Sequence, residues 1–146
     1  MKLLLALAAA FTAGVLVTAA AGVPMRVHYI HHDKVSATMV KGGQIISDNG
    51  LIVLANRAVA RGSEVHEKTN HVFIIVDGEG TFVTGGKLTN QREIGPGQTR
   101  GDGIEDGETH HLSKGDVITV PANTPHWWKD TSATGSVGYY AVNIEQ

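Results

Sequence analysis

The chain has no cysteine among its 146 residues, so neither disulfides nor thiolate–metal chemistry is open to it. An exported domain without disulfides suits a bacterial periplasm or exterior better than a small stapled secreted fold. Charge of one sign is also lacking. Twelve Lys and Arg stand against 14 Asp and Glu, a net charge of −2, and no basic run occurs. Nucleic acid and anionic membrane surfaces therefore have no electrostatic footing here. No internal repeat of roughly 20 to 50 residues is visible, which argues against propellers and solenoids. A serine nucleophile elbow, a phosphate loop and a dinucleotide fingerprint are all missing.

Long apolar runs are confined to one place. Lys2 precedes Leu3 to Val17, and the small residues Thr18-Ala19-Ala20-Ala21-Gly22 follow. A basic start, a short apolar core and a small-residue exit predict a secretory signal peptide over residues 1–21. The run is too short and too poorly flanked by charge to span a membrane comfortably. Cleavage after Ala19 or Ala21 leaves residues 22–146 as one exported domain, periplasmic or extracellular, with no stable membrane insertion; an uncleaved anchor is the alternative reading.

What the chain does have is glycine (18 residues), histidine (eight) and short alternating apolar runs. Leu51, Val53 and Ala55 alternate with Ile52, Leu54 and Asn56; Val137, Tyr139, Ala141 and Asn143 alternate with Gly138, Tyr140, Val142 and Ile144. A period of two predicts β-strands. Further strands are expected at Val27–His31, Gln44–Ser47, Glu64–His66, His71–Val76, Gly80–Thr84, Thr109–Leu112 and Asp116–Val120. Turn signals separate them, at Asp48-Asn49-Gly50, Asp77-Gly78-Glu79-Gly80 and Lys114-Gly115-Asp116. One short helix is expected, capped by Asp33, with Val35, Met39 and Val40 inward and Gly42-Gly43 as its stop. The fold class is all-β, a sandwich or barrel. The segment from Thr84 to Glu108 is polar, glycine-rich and too long for an ordinary hairpin loop. It is either an extended hairpin arm or a mobile lid.

Two stretches carry chemistry. Gly115-Asp116-Val117-Ile118-Thr119-Val120-Pro121-Ala122-Asn123-Thr124-Pro125-His126 reads as a tight turn, a buried strand, a proline stop and a histidine entering the next strand. It resembles the second motif of the cupin superfamily, in which Gly, five residues, Pro, one residue, Gly, two residues and His follow in that order. Gly115, Pro121 and His126 match. Asn123 stands at the second glycine, where asparagine tolerates a left-handed backbone better than most residues. The motif's final Asn is Asp130 here. Gly62 to Gly78 is similar to the first motif, with Gly78 on its final Gly, His71 at the Glu position, His66 at the second His and Glu64 at the first. The usual three His and one Glu are kept, with two positions exchanged.

The resemblance covers Gly62 to Asp130 and implies a cupin-type jelly-roll β-barrel (double-stranded β-helix) with a metal in its wide mouth. It also implies a homodimer. Strand periodicity agrees on the site. Glu64 and His66 are two apart and share a face, while His71, Phe73 and Ile75 form one inward row. Three imidazoles and a carboxylate suit Fe(II), Mn(II), Ni(II), Cu(II) or Zn(II), a divalent transition metal, better than Ca(II) or Mg(II). The candidate metal residues are thus Glu64, His66, His71 and His126. Glu64 is open to a second reading, as a group that orients a ligating histidine from outside the metal's own ligands or as a catalytic base.

Other histidines have structural readings. His110 and His111 are adjacent on a strand and face opposite sides; one enters the cavity or both pack near the long hairpin. His28, His31 and His32 form either an exposed metal-binding group or an ordinary edge strand. Of Trp127 and Trp128, one should pack into core and the other wall the pocket or meet a second subunit. The expected activity is metal-dependent chemistry on a small oxygenated organic substrate, by Lewis-acid polarisation or Fe(II)–O₂ chemistry. A non-oxidative lyase or isomerase, with Glu64 moving a proton, is one alternative. A non-catalytic small-molecule or sugar binder is the other.

Overall fold

The structure is a computed structural model that describes residues 26–146; the expected signal peptide lies outside them. One helix and thirteen strands follow in order: α1 (His32–Lys41), β1 (Gly43–Asp48), β2 (Leu51–Ala58), β3 (Ser63–His66), β4 (Thr69–Asp77), β5 (Glu79–Thr84), β6 (Lys87–Thr89), β7 (Arg92–Gly95), β8 (Gln98–Gly101), β9 (Gly103–Glu105), β10 (Glu108–Ser113), β11 (Val117–Val120), β12 (His126–Asp130) and β13 (Val137–Glu145). Five strands form one sheet, β1-β2-β13-β4-β11, and six form another, β10-β5-β12-β3-β8-β7; β6 and β9 pair separately. The all-β jelly-roll expectation is met.

The core lies between the two sheets because each strand buries alternate residues. On β4 the buried row is Thr69, His71, Phe73 and Ile75, and the intervening residues are only half-buried. From the five-stranded sheet come Ala58, Phe73, Ile75, Val120, Val137 and Ala141; Phe82, Leu112 and Trp128 meet them from the other. His71 continues the apolar row of β4 to the open end of the barrel.

Turn chemistry holds the sheets in register. Gly78 takes φ +74° at the β4–β5 turn, and a Cβ there would lie 2.4 Å from the Ser136 carbonyl oxygen. Only glycine satisfies both constraints. Asn123 takes φ +62°, the left-handed conformation expected where the motif usually has glycine.

Three expectations require correction. Val27–His31 is not a strand: this segment has no ladder partner, and Val27 and Tyr29 are exposed. Its polar groups turn instead to the Asp48 carboxylate, which accepts from the Arg26 backbone N–H at 2.8 Å and pairs with His28 Nε2 at 2.9 Å. The helix is capped by His31, not Asp33, which occupies the first turn. Val40 faces solvent, while Val35 and Met39 are half-buried. Residues four apart share a helix face, whereas Val40 is turned about 100° from Met39.

The segment from Thr84 to Glu108 is ordered into four short strands. β8 pairs with β3, and β7 continues that sheet. This is the hairpin-arm reading, and its inner strand forms part of the site.

Candidate metal centre

Three strands of the six-stranded sheet and two of the other bring the site together. β3 carries Glu64 and His66 on one face, β4 carries His71, and β12 begins at His126. Cross-strand register places His126 opposite Glu64, His66 opposite Gln98 of β8, and His71 opposite Asn143 of β13. The proline turn before His126 is tied to the same place. The Asn123 backbone N–H donates to the His66 carbonyl at 2.7 Å, and the Ala122 N–H donates to Asn70 Oδ1 at 3.0 Å.

The structure brings His66, His71 and His126 together, with ring centroids 5.0, 5.5 and 5.0 Å apart. One nitrogen from each lies within 4.8 Å of the others. His71 and His126 are buried and His66 half-buried.

Each ring has its Nδ1 committed. His66 Nδ1 bonds Gln98 Oε1, His71 Nδ1 bonds Asn143 Oδ1 at 2.8 Å, and His126 Nδ1 bonds the Thr124 carbonyl at 3.0 Å. All three partners are acceptor oxygens, so each Nδ1 carries the proton and each Nε2 the lone pair. The Nε2 atoms of His71 and His126 are buried with no hydrogen-bond partner. Glu64 Oε1 lies 3.6 Å from His126 Nε2 and 3.9 Å from His66 Nε2. Acceptors thus face acceptors, an arrangement that a cation between them would satisfy. The donor set fits a divalent transition metal, with ring orientation fixed from outside.

Electrostatics match the geometry. Burial alone would raise the Glu64 carboxyl, but in the metal-free protein hydrogen bonds and attraction from His126 and His66, available when those rings are protonated at Nε2, hold it well below the usual carboxylate range. Burial pulls His71 down to about 4, outweighing its bond to Asn143. His66 is also penalised by burial, yet Glu64 carries it above its ordinary value.

A sign follows for metal-free protein. Between the unfolded value near 6.5 and the folded value near 4, the unfolded chain binds a proton that folded His71 refuses. Stability should therefore fall as pH drops through that window. His66 acts the other way and only above its unfolded value, so it does not mask the effect. Denaturant titrations of chelator-treated protein from pH 6.5 to 4.5 should show this decline, and a His71→Gln variant should show a shallower one. Equal slopes would contradict the assignment.

Two cavities meet at the site. One, of about 280 Å³, is lined by Glu64, the three histidines, Gln98 and Asn143. The other, of about 390 Å³, reaches Glu64 and His126 from the side of Arg61, Trp127 and Tyr139. Trp128 packs into the core and, with Trp127, also lines this second cavity.

The remaining histidines lie elsewhere. His110 Nε2 bonds Thr84 Oγ1 at 2.9 Å, and exposed His111 faces Glu79 at 3.4 Å. His31, His32 and Asp33 form an exposed group at the start of α1.

Sequence reasoning missed Gln98 and Asn143. Asn143 was visible on an alternating strand, but nothing local showed that it pairs with His71. Gln98 sits in a glycine-rich polar stretch that gave no sign of returning to β3.

The cupin family model matches residues 50–146. Among solved structures, a protein of Bacillus halodurans is similar at 14% identity, with TM-score 0.59 and coverage of 83% of each chain. Hydroxypropylphosphonic acid epoxidase from S. wedmorenis is similar at 18% identity and TM-score 0.53, over 70% of this chain and 49% of the epoxidase. The Fe(II) form of HppE aligns similarly, at 18% identity and TM-score 0.52, covering 70% and 50%. The chain therefore spans about half the length of these epoxidase chains, and at such identities the likeness is one of fold. No curated protein matches in sequence. With the family model covering more than half of the chain and cupin-fold structures aligned to it, the chain belongs to the cupin family.

Proposed function

We propose that this chain is an exported, metal-dependent cupin enzyme acting on a small oxygenated organic substrate. The observation that carries this reading is the set of three imidazoles whose Nδ1 atoms are tied to Gln98, Asn143 and the Thr124 carbonyl, leaving the Nε2 lone pairs convergent. His66, His71 and His126 hold the ion. Fe(II), present in crystals of one fold neighbour, is the leading candidate, with Mn(II), Ni(II), Cu(II) and Zn(II) compatible with the same donors. A bound ion would supply Lewis-acid polarisation of a substrate oxygen or, as Fe(II), redox chemistry with O₂.

Glu64 has a different place from the histidines. Its carboxylate reaches two of the three Nε2 atoms and lines both cavities. Held ionised, it can take a proton from a substrate carbon or hydroxyl lying against the triad. Arg100 lies 3.8 Å from its other oxygen, on the outer side. Phe73 and Tyr139 give the inner wall of the smaller cavity apolar surface.

The test uses tag-free protein from the extracytoplasmic fraction. Metal content is measured first, then O₂ consumption and product formation on diketones, phenols and sugar acids. Glu64→Gln should keep its metal and lose roughly 10²- to 10⁴-fold in turnover. Loss of metal together with turnover would make Glu64 a ligand instead. Metal-loaded protein that binds members of the panel and turns over none would overturn the enzymatic reading in favour of a binding module.

A further inference from the structure

The cavity of about 390 Å³ beside Glu64 and His126 has a chemical bias that metal binding does not require. Its lining includes Lys41, Arg57 and Arg61, and Glu64 is its one carboxylate. The chain as a whole is slightly acidic, with net charge −2, so this concentration of cations is local. Arg57 is already committed, its guanidinium 2.8 Å from Asp77 and 3.1 Å from Ser136 Oγ. Lys41 and Arg61 have no ion pair among the described residues.

Arg61 is held in place by the strand that carries His126. Its backbone N–H donates to the Trp128 carbonyl at 3.4 Å, and Trp127 Nε1 donates to its carbonyl. The neighbouring Ala60 N–H donates to Thr131 Oγ1 at 3.2 Å. The loop between β2 and β3 is thereby fastened to β12, fixing where Arg61 starts. Its charge is felt inside the barrel, where it opposes the upward push of burial on the Tyr139 hydroxyl.

The other polar groups of the wall narrow the ligand further. Asn56 Oδ1 already accepts the Gly43 N–H at 2.8 Å. Trp128, 8% exposed, carries a buried indole N–H with no partner. Apart from Glu64 and the His126 Nε2 lone pair, which the metal reading assigns to the ion, what this wall leaves uncommitted is donors and positive charge, which call for a ligand rich in acceptor oxygens. Trp127 and Leu54 add apolar wall on the same side.

We infer that the cavity binds a small organic anion, its carboxylate or phosphonate held by Arg61 with support from Lys41, and its oxygenated end directed to Glu64 and His126. Arginine suits either headgroup, because its planar fork pairs with both in bidentate fashion. The cationic rim also draws such anions toward the site. This inference deepens the proposed function and rests on the metal reading of the triad.

The test is calorimetric titration of the full mature chain, Zn(II)-loaded and metal-free, with 4-hydroxybutanoate, 3-hydroxypropylphosphonate and the neutral 1,4-butanediol. Both anions should bind loaded protein at least about tenfold more tightly than the diol. Arg61→Gln should weaken the anions by roughly ten- to a hundredfold, the range of a charge-assisted contact, and leave the diol unchanged. Arg61→Lys should recover part of the loss. Metal content of each sample is read in parallel. Should the triad hold no metal, the anion preference and its loss in Arg61→Gln must still appear in the metal-free protein. Whichever anion binds more tightly identifies the headgroup. Equal affinity for anions and diol, or an Arg61→Gln variant that binds anions like wild type, overturns the proposal.

Discussion

Replacing Phe82 with alanine should destabilise the metal-free protein by about 3 to 5 kcal/mol. Phe82 is fully buried and stands where the two sheets meet. Its ring lies 5.5 Å from Phe73 and 4.7 Å from Trp128, centroid to centroid. Those neighbours are large rings fixed on two different strands, β4 and β12, so the cavity left by truncation cannot collapse readily. A loss of that size is a large part of the roughly 5 to 15 kcal/mol that holds an ordinary domain together. The site should feel it as well, because the Phe82 ring lies 6.1 Å from that of His126. Phe82→Leu, which refills most of the space, should cost clearly less. Urea titrations followed by tryptophan fluorescence check this, with chelator present so that metal binding does not contribute to stability. An alanine variant within about 1 kcal/mol of wild type would mean that the ring is not the keystone its burial indicates.

The sequence foretold the architecture best where a strand is half-buried. β4 is the clearest case. The apolar run Val72 to Val76 marks a buried strand, and the period of two puts His71, Phe73 and Ile75 on one face, which is the buried one. From it, the placement of His71 at the mouth follows without any knowledge of the partner strands. Glu64 and His66 were legible for the same reason, and His126 through the glycine, the proline and the left-handed Asn123 of its turn.

What lay hidden depends on register between distant segments. Gln98 reaches His66 only because β8 pairs with β3 across 32 residues of chain, and Asn143 reaches His71 across 72. No local pattern encodes either pairing. Val27–His31 failed for the opposite reason. Val27, Tyr29 and Ile30 suit a strand, but a strand needs a ladder partner, and here the Asp48 carboxylate takes the role. The arm from Thr84 to Glu108 was legible as a hairpin but not as a wall of the site, since its polar, glycine-rich composition is that of any solvated loop.

The second large effect concerns the triad itself. Each imidazole is pre-oriented by its Nδ1 partner, so the three Nε2 atoms need little reorganisation to meet one ion. Removing a partner outside such a site typically costs about ten- to a hundredfold in metal affinity, and removing a ligand should cost at least that. His66→Ala, His71→Ala and His126→Ala should therefore each lose most of their metal on dialysis. Affinity should also weaken on acidification through the imidazole range, because a protonated ring cannot coordinate. His110→Ala and His111→Ala should behave as wild type, their side chains being engaged with Thr84 and Glu79. The exposed group of His31, His32 and Asp33 offers a competing site, so all variants are compared in a His31→Ala/His32→Ala background.

The most direct measurement is metal content by plasma mass spectrometry after dialysis, on tag-free protein in that background, with folding verified by circular dichroism. The triad predicts about one divalent transition-metal ion per chain with all three histidines present, and a near-complete loss in a folded His66→Ala/His126→Ala double variant. Full metal occupancy in that folded double variant would contradict the site.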